Sequence, residues 1–124
     1  MENGSNNEAI KKALLGFIFT AVWINDEEDE LVFEREDGKK FKFYHSQNCC
    51  EHVTIEDIIG EMDSLLGSPI TFAEESTADA TDQCSISGTW TFYKFATKKG
   101  WVDIRWLGES NGYYSEQVYF EEMN

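Results

Sequence analysis

Apolar positions change period several times along this chain, and each change marks an expected element. Ala9, Ile10, Ala13 and Leu14 recur at helical spacing between Asn7, a suitable cap, and Gly16, a suitable stop, which predicts a short N-terminal helix. Phe17, Ile18, Phe19, Val22, Trp23 and Ile24 form a denser run, read as a strand covered on both faces and ended by an acidic turn over residues 25–30. Residues 31–36 then alternate, with Leu31 and Phe33 inward. Asp37-Gly38 is a hairpin signal, and the returning residues 39–45 set Phe41, Phe43 and His45 on one face.

After residue 53 the period lengthens. Ile55, Ile58, Ile59, Met62, Leu65 and Leu66 fall on one face of a helix over 54–66, opened by Thr54 with Asp57 three residues on and stopped by Gly67-Ser68-Pro69. Residues 70–72 begin another strand. The small, polar residues 74–87 read as a surface loop that contains Cys84. Strands at 90–97, 101–107 and 113–120, joined across Lys98-Lys99-Gly100 and Ser110-Asn111-Gly112, complete an antiparallel meander. The expected fold class is α+β: an antiparallel sheet of about six strands with the amphipathic helix 54–66 packed on it and a short N-terminal helix. One domain over 1–124 is expected, with residues 1–7 disordered.

Composition narrows the functional classes. A chain of 124 residues, 41% of them hydrophobic, can bury one core. The longest apolar run, 13–24, is shorter than the ~20 residues a membrane helix needs, and the polar, acidic start lacks a signal-peptide pattern. A cytoplasmic protein without a membrane partner is expected. Ten basic against 24 acidic residues give a formal charge of -14, which repels phosphate backbones and disfavours ordinary nucleic-acid binding. Cations or basic protein surfaces are the partners such a charge suits; its other reading is solubility alone.

Chemistry concentrates between His45 and His52. His45, Cys49, Cys50 and His52 offer zinc up to four ligands, with Cys84 or Glu51 in reserve, and the workable set is Cys50 and His52 closed by His45 and Cys84. Three cysteines are too few and too oddly numbered for a disulfide framework. A Cys49-Cys50 bond is open to the pair, but reduced thiols, buried or bound to metal, are expected. The alternative is that the cysteines are small buried hydrophobes and His52 is exposed. Thiol catalysis lacks a separate base, because these two histidines are the only ones. Around Arg105 the aromatic residues Trp106, Tyr113 and Tyr114 flank a Gly and Asn turn and form a candidate partner surface, or else a plain hairpin with cross-strand pairs. The acidic run Asp26, Glu27, Glu28, Asp29 and Glu30 lacks the spacing and central Gly of a calcium loop and reads as a solvated turn or as a contact for a basic protein.

Three blocks resemble a family of small phage and prophage proteins: the stretch from His45 through Cys49-Cys50-Glu51 to Asp57, the step from Gly67-Ser68-Pro69-Ile70 to Ala73-Glu74-Glu75, and Trp90-Thr91-Phe92-Tyr93-Lys94 through Gly108-Glu109-Ser110-Asn111-Gly112-Tyr113-Tyr114-Ser115-Glu116. Together they span about the last two thirds of the chain, and His52 departs from the family pattern. The resemblance carries no catalytic assignment and implies a setting of mobile elements, where small acidic proteins often inhibit host defence. Anti-CRISPR proteins that bind a type II effector nuclease are similar in size and charge. The expected function is therefore a non-enzymatic inhibitor of that kind, blocking nucleic-acid loading on a basic host protein, its fold braced by structural zinc. The rivals are a protein that sequesters a nucleotide signal, with Trp106, Tyr113 and Tyr114 stacking on the base and Arg105 meeting phosphate, and a metal-dependent or thiol enzyme.

Overall fold

The computed structural model describes residues 6–84 and 86–123. Among these residues, eight strands form two antiparallel sheets. Strands β1 (Phe19–Ile24), β2 (Glu30–Arg35), β3 (Lys40–Tyr44) and β8 (Tyr119–Met123) make the first, in the order β1-β2-β3-β8. Strands β4 (His52–Ile59), β5 (Phe72–Asp79), β6 (Ser87–Thr97) and β7 (Gly100–Ser110) make the second, in the order β4-β7-β6-β5. One helix, α1 (Asn7–Leu14), buries Ile10 and Leu14 against the same core.

Alternation on the inner faces builds that core. Phe33 and Phe43 of the first sheet meet Phe95 and Tyr93 of the second, with ring centroids 5.1 Å apart for Phe33–Phe95 and 4.7 Å for Phe43–Tyr93. Both pairs meet edge to face, an arrangement that adds a favourable electrostatic contact to the burial of apolar area. Val102, Ile104 and Trp106 of β7 lie beside them and are fully or almost fully buried. The Asp37-Gly38 hairpin is as the sequence predicts, with Gly38 at φ 91° and β2 paired to β3 from Glu30↔Tyr44 to Glu34↔Lys40.

The edges are closed by polar chemistry. Glu75 of β5 is buried, and its carboxylate accepts hydrogen bonds from the Asn6 backbone, the Asn6 side-chain amide and the Tyr93 hydroxyl, at 2.8, 2.8 and 2.6 Å. Asn7 exchanges bonds with the Glu75 backbone in both directions. The start of α1 is thus tied across the edge of β5. On the other sheet, segment 66–70 covers the edge of β1 through bonds from Gly67 to the Phe19 carbonyl and from Ile70 to the Phe17 carbonyl, each 3.0 Å.

The expected single sheet of about six strands is instead two sheets of four, and four expectations about the elements also need correction. Residues 54–66 are not a helix: they are strand β4 followed by a 3-10 turn (Met62–Leu65). A β-bulge between Ile55 and Asp57 inserts one residue into the alternation, so Val53 and Ile55 face inward and then Ile58, paired with Ile104, follows on the same side. That shift imitates helical spacing. The β-branched residues Val53, Thr54, Ile55, Ile58 and Ile59 favour the strand. Second, much of 74–87 is strand β5, paired to β6 from Phe72↔Ala96 to Asp79↔Thr89. It lacks a hydrophobic alternation because one of its inward positions is the satisfied Glu75.

Third, the meander is not continuous. Strands β6 and β7 pair over their whole length, but the last strand begins at Tyr119 and crosses to the first sheet, where it pairs with β3. Last, β1 is an edge strand, not one covered on both faces, and Trp23 is exposed. The expected disorder at 1–7 falls for residues 1–5 outside the described residues; Asn6 and Asn7 are anchored as stated.

Candidate functional site

Two places in the fold gather chemistry. The first is the corner where the crossover from β7 to β8 passes the loop 45–51, joining two of the sequence blocks that carried the resemblance. His45 Nδ1 lies 2.7 Å from the Gln117 carbonyl oxygen and Nε2 lies 2.9 Å from the Glu51 carboxylate. Both ring nitrogens are thus engaged by oxygen atoms from two separate segments. Glu51 also accepts from the backbone N–H groups of Asn48 and Cys49, at 3.0 and 2.9 Å. The His45 bond, then the Cys49 amide, hold the Glu51 carboxyl down to about 2. Both side chains are almost wholly buried, so this hydrogen-bonded pair is a latch inside the fold.

The crossover has its own latch. Thr89 donates to Glu116 at 2.6 Å and Ser110 donates to its other oxygen. Burial by itself would raise the Glu116 pKa, but the hydroxyls of Ser110, Thr89 and Ser87 outweigh it and hold the carboxyl low. Gly108 makes the close pass possible, because a Cβ there would sit 2.7 Å from the Glu116 carbonyl oxygen.

The predicted zinc ligands scatter around this corner. His45 has both nitrogens engaged, Cys49 and Cys50 form a disulfide, and His52 is exposed on β4 opposite Glu109. Cys49, Cys50 and His52 share a shallow pocket with Glu109 and Ser110. Cys84 stands apart as a free thiol hydrogen-bonded to Glu109. Burial first, then that bond, push it up to about 11, which makes it a weak nucleophile at neutral pH. Among the described residues no three His, Cys, Asp or Glu side chains gather to hold a metal ion.

The predicted partner residues divide. Trp106 is fully buried between Ile55 and Thr91, so it presents no face to a partner or a base. Tyr113 is exposed at the crossover turn and Tyr114 is half-buried beside it. The acidic run is a built turn: the Asn25 side chain accepts from the backbone of Asp29 and Glu30 at 3.0 Å each, and Ile55 donates to the Glu28 carbonyl at 2.7 Å. Asp26, Glu27 and Glu28 are exposed, while Asp29 and Glu30 are half-buried.

The second place is one the sequence reading missed. The outer face of the second sheet holds a groove of 680 Å³ between β5 and β4. Register sets Trp101, Lys94 and Phe92 on this face, with Phe72 against Trp101 at 5.3 Å. Lys94 lies 5.4 Å from the Trp101 ring centre and 3.7 Å from Asp103. Arg105 lies 4.8 Å from the Trp90 ring centre, donates to Glu56 and approaches Asp57 at 3.8 Å. Alternation at 90, 92 and 94 and at 101, 103 and 105 was a signal that could have found it, because aromatic and charged residues occupy the positions that the inward set leaves outside.

A mainly antiparallel two-sheet protein with one helix, a polar-latched corner and an open aromatic sheet face is the class that fold and sites define. The chain belongs to the family described as a domain of unknown function, DUF7448, whose model matches residues 9–120. No curated protein and no solved structure matches it. Among the described residues no helix is long and apolar enough to cross a membrane.

Proposed function

We propose that this protein is a non-enzymatic binding protein that docks its acidic surface on a basic, nucleic-acid-handling partner and blocks nucleic-acid loading, as an anti-CRISPR inhibitor of a type II effector nuclease would. The observation that supports this most is the acidic turn. Its backbone is held by Asn25 and Ile55, so Asp26, Glu27 and Glu28 project from a fixed support in a chain of net charge -14. Preorganised carboxylates lose less freedom on meeting cationic side chains, and the surplus charge speeds encounter.

Titrating the protein into a guide-loading and cleavage assay of a type II effector nuclease tests this reading. Inhibition at low salt that fades at high salt, and that weakens when Asp26, Glu27 and Glu28 become Asn and Gln, is the expected result. Unchanged loading at every protein concentration would sink that target, and inhibition indifferent to salt would sink the charge mechanism.

Zinc as a brace would require reduction of the Cys49-Cys50 bond and release of His45 from Glu51 or Gln117. Metal analysis of protein purified with and without reductant tests it, and zinc near one per chain in the reduced sample is the result the brace needs. The nucleotide reading gains one observation, the aromatic groove beside Lys94 and Arg105, although Asp57, Glu74 and Asp103 in the same lining oppose phosphate. Stabilisation by any member of a nucleotide panel in a thermal shift assay would favour it.

A further inference from the structure

We infer that the groove on the outer face of the second sheet is a docking surface for a lysine- or arginine-rich segment of a partner polypeptide. This deepens the proposed function, on which it rests, by adding an aromatic contact to the acidic one.

Three properties of the groove lead there. Its rings are available: Trp101 is 56% exposed, Ile59 beside it is 61% exposed, and Phe72 and Phe92 are only half-buried. An apolar patch of that kind on an otherwise charged protein marks an interaction surface. The rings also already hold cations. Lys94 sits near Trp101 and Arg105 near Trp90, so the face shows with its own side chains how an ammonium or guanidinium group is received. Finally, the carboxylates outnumber the cations. Asp57, Glu74 and Asp103 line the groove with Glu56 at its rim, and Glu74 has no ion-pair partner among the described residues.

The Lys94–Asp103 pair is long at 3.7 Å, and both side chains are about half exposed, so an incoming cation can take Asp103 from Lys94 at little cost. Glu74 offers a second carboxylate, because it lies in register with Lys94 on the neighbouring strand. A basic segment crossing the strands would lay its aliphatic stems on Trp101 and Phe92 and set its charged ends against Asp103, Glu74 and Asp57. Charge also decides against a second copy of this chain. Each copy carries -14, and two such faces would oppose carboxylate to carboxylate.

The test uses the full chain and an oligo-arginine peptide, with binding measured by calorimetry at fixed low salt. Trp101→Ala removes ring area and no charge. It should weaken binding about three-fold to thirty-fold while leaving the melting temperature near wild type. Asp103→Asn and Glu27→Gln change net charge equally, one in the groove and one on the acidic turn, and Asp103→Asn should weaken binding more. Equal binding by Trp101→Ala and wild type overturns the inference. If Glu27→Gln weakens binding and neither groove variant does, the docking surface is wrong while the acidic-turn reading stands; if no variant matters, both fail. A dimer in light scattering that Trp101→Ala dissociates would also overturn it, by making the face a self-interface.

Discussion

The latched corner and the open groove lie on one polypeptide and use similar residue types to opposite ends. At the corner, Glu51 and Glu116 are surrounded by donors from His45, Asn48, Cys49, Thr89 and Ser110, and little of their hydrogen-bonding capacity faces water. In the groove, Asp103 is half-buried and Glu74 exposed, and among the described residues they have one distant cation and none, respectively. A carboxylate whose acceptor sites are filled from within holds a fold together, whereas one left open beside an exposed ring is free to meet a group from outside. The sequence motifs that looked most like chemistry serve the first purpose.

The largest loss should come from the core that separates the two places. Trp106→Ala should cost about 3–5 kcal/mol in chemical denaturation, because it empties a fully buried indole site between β4 and β6. A loss below 1 kcal/mol would mean that the residue is not in the core.

Next in size is Glu75→Ala, which strands the Tyr93 hydroxyl and two Asn6 donors and should cost about 1–3 kcal/mol. Hydrogen exchange should rise first in α1, since that bond set ties the helix to β5. Uniform protection in the variant would count against the tie.

A smaller effect, confined to acid, should come from Glu51. Its carboxyl is depressed from 4.5 to about 2, so the stability it contributes is complete above 4.5 and is lost as pH falls towards 2. Glu51→Gln should therefore flatten the melting profile across that window relative to wild type, and an unchanged slope would remove the latch. Asp37, held at about 2 by the Arg35 side chain, titrates over a similar range and remains in both proteins, so the difference between profiles is the measurement. Smallest of all, Trp101→Ala should shift stability by no more than about 0.5 kcal/mol, as expected of a mostly exposed side chain. A large loss there would make the groove part of the core.

Much was legible before any coordinates. The N-terminal helix, the β2–β3 hairpin across Asp37-Gly38, the β6–β7 hairpin and the inward set of Phe33, Phe41 and Phe43 depend on local turn chemistry and on alternation, which are written residue by residue. The net charge of -14 is a sum over the chain and needs no structure. Tertiary structure decided the rest. The bulge at Glu56 made a strand look helical, and only pairing with β7 could reveal the inserted residue. Strand β5 is polar because Glu75 finds Asn6 and Tyr93, partners 69 and 18 residues away. His45 and Glu51 lie close in sequence, yet their use as a latch required the Gln117 carbonyl, 72 residues from His45, to occupy the other ring nitrogen. The groove, likewise, exists only where four strands lie side by side. Local periods determined which residues turn inward; which outward residues become neighbours was settled by strand order, a property no single stretch of sequence contains.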